Sequence, residues 1–191
     1  MRLTTATASP ESRGKSRLPL LQLTAALVLS LTQPTAAQER GYYIQTPFLY
    51  QTANYCGPAA LATVMRYWGH DISQYELAKS FDPFPSKGLS GAELKGLAKR
   101  HGFTGYSFSG QSLTIRDHIK QGRPVIVALH SSELLNENHF VVVVGWDPGS
   151  QEWIVQDPTT GPYTRYAARS FATRWQQADN WALLVLPKRD D

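Results

Sequence analysis

An α+β fold built on a mostly antiparallel sheet is what this chain predicts. Two observations carry that expectation. After position 37, strong helical periods come first and β-branched apolar runs come later. The later runs have hairpin-like links, clearest in the turn at Pro148-Gly149. A doubly wound fold would instead alternate strand and helix along the chain.

The elements follow in order. Arg13-Gly14-Lys15-Ser16-Arg17 is basic, Leu18 to Leu31 is mostly apolar, and Thr35-Ala36-Ala37 ends in small residues. That order predicts a secretory signal peptide over 1–37 and a working domain over 38–191. The apolar run is too short, and too broken by Pro19 and Gln22, to span a bilayer. The expected protein is therefore exported, periplasmic or secreted, with its leader removed or left as an anchor. The chain has 191 residues, so the remainder still suffices for one domain with its own core. The leader holds Arg2, Arg13, Lys15 and Arg17 against Glu11, which leaves 15 basic and 14 acidic residues beyond it. The basic balance belongs to the leader, so a nucleic-acid partner is not expected.

Residues 42–44 read as a short strand in an extended entry. Pro58–Trp68 is the strongest helix. Leu61, Val64, Met65 and Trp68 share one face at helical spacing, Pro58 suits a first turn, and Gly69 ends it. Ser73 with Glu76, and Ser90 with Glu93, each fit a capping box. They open helices over Gln74–Ser80 and Gly91–Arg100, the second with Leu94, Leu97 and Ala98 inward. Lys95, Lys99 and Arg100 are then its wet face. Residues 103–108 alternate loosely as a strand, and Thr114–Gln121 is a helix stopped by Gly122. Pro124–Leu129, His139–Trp146, Glu152–Gln156 and Ala182–Leu186 read as strands, with a turn at Pro148-Gly149. Ala168–Trp175 is a weak helix, and Lys188–Asp191 a frayed tail. Trp146 and Trp153 flank the turn, as core residues or as walls of a peptide groove.

The single cysteine, Cys56, precedes the strongest helix in Cys56-Gly57-Pro58-Ala59-Ala60. One cysteine allows no internal disulfide. A thiol at a helix start meets unpaired N–H groups and the positive dipole end, which favour the nucleophilic thiolate. Gly57 would let a substrate backbone approach. Such a nucleophile needs a histidine base and an orienting group. His139 begins one strand and Asp157 ends the next. A hairpin centred on residue 148 would place them directly opposite, about 5 Å apart at Cβ. Gln51 could donate an amide N–H to a developing oxyanion, beside the Cys56 N–H. A metal site from His130, His139 and Asp157 matches no compact ligand spacing, and no cofactor is expected.

Gln51 through Ala62, His139-Phe-Val-Val-Val-Val-Gly-Trp-Asp147 and Asp157-Pro158 resemble the C39 (bacteriocin-processing) cysteine peptidases of the papain-like superfamily. The resemblance runs over most of residues 42–187. It implies a papain-like fold, with N-terminal helices packed on the sheet, and a cysteine endopeptidase. Cys56 would be the nucleophile, His139 the general base and acid, Asp157 the orienter and Gln51 the oxyanion donor. Gln51 stands one residue closer to the cysteine than is usual in papain-like relatives. Many such domains sit on exporters and cut leader peptides after a Gly-Gly pair. This chain carries no ATP-binding motif and is more similar to the stand-alone exported forms, some of which accompany secretion or surface-fibre systems. The implied partner is a peptide or protein substrate. A superfamily acyl transferase, of the kind represented by phytochelatin synthases, and a non-catalytic peptide-binding module are the alternatives. Modules of the second kind typically lack the cysteine.

Overall fold

The computed structural model describes residues 40–132 and 137–188. The leader expected over 1–37 and most of the expected tail lie outside the described residues. Elements run β1 (Tyr42–Tyr43), α1 (Cys56–Tyr67), α2 (Gln74–Ala78), α3 (Gly91–Arg100), β2 (Phe103–Ser109), α4 (Ser112–Lys120), β3 (Val125–Ser132), β4 (Glu137–Asp147), β5 (Glu152–Asp157), β6 (Gly161–Ala167), α5 (Ala168–Gln176) and β7 (Trp181–Pro187). Every strand pairing is antiparallel, in the order β2-β7-β3-β4-β5-β6, and β1 adds to β4. Among the described residues no helix is long and apolar enough to cross a membrane.

Helices cover both faces of the sheet rather than one. On one face α1, α2 and α3 pack against Ile126, Ala128, Phe140, Val142, Val144 and Leu183. On the other, α4 and α5 pack against Val127, Leu129, Val141, Val143, Trp146 and Trp153. Burial on both sides explains the unbroken valine run of β4, since no position there has to face water. Trp146 and Trp153 are each 1 % exposed and their tilted rings meet at 4.9 Å, so they are core residues and line no groove.

α1 is buried almost all round, from Gly57 to Met65, rather than along a single stripe. A helix enclosed between the sheet and two other helices has no wet face to keep polar. It begins at Cys56, two residues before the expected start, with Tyr55 as its cap residue. Pro58 therefore still lies in the first turn, where its missing N–H costs nothing. Both capping boxes form. Ser73 and Ser90 accept from the Glu76 and Glu93 amides, and each glutamate returns the bond. The strand the sequence did not announce is β6. It is an edge strand with Pro162 inside it and left-handed backbone at Tyr163 (φ 50°), so no alternating pattern marks it.

Candidate active site

Three segments meet at one end of the sheet: the start of α1, the start of β4 and the end of β5. The approach to α1 is held from below by Gln74 of α2, which is buried. Its side-chain amide donates to the Tyr50 carbonyl (2.8 Å) and accepts from the Thr52 N–H (3.0 Å). A turn then closes from the Tyr55 N–H to the Thr52 carbonyl, and Asn54 adopts a left-handed backbone (φ 65°). Cys56 follows as the first helical residue. The opening amides of a helix have no intrahelical acceptors, and no acidic residue stands in this first turn to occupy them. Gly57 does not face the cleft. A Cβ there would touch Leu94, Phe140 and Leu89 at 3.5–3.7 Å, so the glycine packs the helix onto the core and does not admit a substrate backbone.

His139 and Asp157 meet, though not as a directly opposed pair. Near the turn, Gly145 faces Ile154 and Asp147 faces Glu152. Carried onward, that register would set Asp157 opposite Val142 and turn it to the face away from His139. A β-bulge between Val143 and Gly145 inserts one residue, after which Val142 faces Gln156. Asp157 then falls beside Val141, two residues from His139 on the same face, within diagonal reach. The side chains close to 2.7 Å between His139 Nε2 and Asp157 Oδ1. The sequence hairpin was thus two residues out, an even error that preserved the face.

Asp157 is 1 % exposed, yet its carboxylate is saturated with donors. Oδ1 also accepts the Thr159 N–H (2.9 Å) and the Thr160 N–H (3.4 Å), and Oδ2 accepts the Tyr166 hydroxyl (2.6 Å). Burial pushes its acidity down, but the His139 and Tyr166 hydrogen bonds outweigh that and hold the group well below the usual carboxylate range. At His139 burial alone would disfavour the cation. Hydrogen bonds to Asp157 and to Cys56, with their charges, prevail and push it up to about 9. Since Nε2 is turned to Asp157, Nδ1 is the nitrogen left for the sulfur.

The cleft over this row has a volume of about 300 Å³. Gln51, Asn54, Lys87, Ser131, Asn138, Thr159, Thr160, Tyr166 and Arg174 complete its walls. Gln51 is tied to the turn after Asp157 twice: its N–H donates to the Pro158 carbonyl (2.9 Å), and its Oε1 accepts the Thr159 hydroxyl (3.1 Å). All four residues singled out from the sequence therefore border one cleft. Tyr166 and Arg174 were not singled out. Arg174 donates from Nε to the His130 carbonyl (2.9 Å) and lies 5.3 Å from the Tyr166 ring centre. Neither carries a short-range signal: Tyr166 stands nine residues past Asp157 on the unannounced edge strand. Among the described residues no group of three His, Cys, Asp or Glu side chains could hold a metal ion.

The profile of the Peptidase_C39 like family matches residues 41–183. No curated protein matches the chain. Several solved structures do. A C39-like peptidase from Bacillus anthracis shares 18% identity, with a TM-score of 0.67, over 80% of this chain and 100% of that one. The peptidase domain of Streptococcus ComA, a bi-functional ABC transporter involved in a quorum-sensing pathway, shares 24% identity and a TM-score of 0.63, covering 77% of this chain and 100% of that one. A double glycine motif protease from an AMS/PCAT transporter, in complex with the leader peptide, shares 18% identity and a TM-score of 0.61, covering 76% and 94%. At such identities the likeness is one of fold.

Proposed function

The chain belongs to the Peptidase_C39 like family, and from that premise we propose that it is a cysteine endopeptidase acting on an exported peptide or protein. The observation that carries the reading is the 2.7 Å His139–Asp157 hydrogen bond in a cleft that Cys56 also lines from the start of a helix. In this reading Cys56 Sγ attacks the carbonyl carbon of the scissile bond. The oxyanion that forms is met by backbone N–H groups at the start of α1, and by the Gln51 side-chain amide from the cleft wall. The His139 imidazolium gives its proton to the departing amine as the C–N bond breaks, leaving a thioester on Cys56. His139 then takes a proton from water, the resulting hydroxide attacks the thioester, and the sulfur leaves as the acid is released. Asp157 keeps the ring turned so that Nδ1 serves both steps. The leader signature supports a site of action outside the cytoplasm. A Gly-Gly cleavage rule is not carried over from transporter-borne relatives.

The test is the rate of Cys56 alkylation by iodoacetamide between pH 4 and 10, in the wild type and in His139→Ala. We expect fast labelling at acidic pH that requires His139, and cleavage of an exported-peptide library that disappears in Cys56→Ala. Labelling that rises only near an ordinary thiol pKa of about 8.5, and is indifferent to His139, would overturn the reading. A peptide-binding module would then be the better description.

A further inference from the structure

We propose that Tyr166 is a positioning residue of this site: its phenol holds the second carboxylate oxygen of Asp157, the one the His139 ring and the Thr159 and Thr160 amides do not reach, and so draws off charge that His139 would otherwise feel. The inference rests on His139 being the base of the proposed peptidase. An imidazolium 2.7 Å from a buried, undivided carboxylate would hold its proton tightly. A general acid that cannot release its proton to the leaving amine is a poor one. The Tyr166 hydroxyl reaches Asp157 Oδ2 at 2.6 Å, within the short range of charge-assisted O–H···O⁻ bonds. Burial and the bond to Asp157 push the Tyr166 phenol above its ordinary value, so it keeps its proton as a donor, and Arg174 of α5 beside the ring offsets only part of that shift. The groups facing Asp157 are thus His139 from β4, Tyr166 from β6 and the Thr159 and Thr160 amides. Cys56 of α1 and Arg174 of α5 stand one partner further out. The two amides already fix Oδ1, so Tyr166 is not needed merely to keep the carboxylate in place. Its distinct contribution is to Oδ2 and to the charge that His139 feels.

The experiment is an NMR titration of the His139 ring in the full chain, which needs no substrate. Tyr166→Phe keeps the ring against Arg174 and removes only the hydroxyl. The His139 midpoint should rise, by about half a pH unit or more. In an Asp157→Asn background the same change should produce no shift, because the effect passes through the carboxylate. In the wild type, the Tyr166 Cζ resonance should move with the His139 titration, a readout that survives if the variant does not fold. An unmoved or lowered midpoint, an equal rise with Asp157→Asn, or a Tyr166 resonance blind to His139 would each overturn the proposal. Because cleavage is measured separately, this result can fail while peptide is still cut, and can hold where no peptide is cut.

Discussion

His139 and Asp157 hold their charges in folded surroundings that shift them in opposite directions, and the consequences for stability have opposite pH signs. A histidine raised from 6.5 to about 9 contributes stability that is fully present below about pH 6.5 and is lost as pH rises through about 9. A lowered Asp157 contributes stability present above its ordinary value of 3.8 and lost only as pH falls through its depressed folded value. Urea melts of the wild type and His139→Ala between pH 5 and 10 should therefore differ most at the acid end. The gap should shrink by on the order of 3 kcal/mol by pH 10. A gap that widened with pH would contradict the charged pairing. At this scale the residue types were readable from the sequence, because nucleophile, base and orienter are few and each has a chemical requirement. Tyr166 was not, since any hydroxyl brought there by the fold would serve, and nothing local to residue 166 says which carboxylate it meets.

The elements were legible wherever one stretch of chain contains its own signal. Ser90 and Glu93 start α3 by bonding each other across one turn, and a reader of four residues can see that. The β4–β5 register could not be read so simply, because the bulge at Val144 answers to packing between strands. β6 was missed for a related reason: its burial pattern leaves most positions at least partly open, and its pairing to β5 is what makes it a strand. Gly145, beside the bulge, pairs with Tyr43 of β1. A Cβ on it would stand 2.5 Å from Tyr43 Cβ and 2.7 Å from the Tyr42 carbonyl oxygen. Gly145→Ala should cost about 1–3 kcal/mol, as overpacking does, and should free β1 from β4. Limited proteolysis between residues 40 and 50 checks this, with faster cutting expected in the variant. Unchanged cutting and an unchanged melt would mean that β1 adjusts without leaving.

Across the whole molecule the sheet is shared by two helical layers, and only one of them delivers Cys56. Ile115 of α4 is fully buried in the opposite layer. Ile115→Ala should lower stability by about 2–5 kcal/mol while leaving the rate of Cys56 alkylation at 25 °C unchanged. Thermal unfolding should stay a single transition, because β3 and β4 contribute to both cores. Two resolved transitions would show that the layers melt separately. The bulge has one more consequence, best put in genetic terms. A codon gained or lost in the Pro148–Gln151 turn changes a loop and leaves the pairing beyond it intact. A codon gained or lost between Phe140 and Val144 reverses His139 across the sheet. Length variation in this hairpin is therefore expected to be free at its tip and, nearer the cleft, to survive only in steps of two.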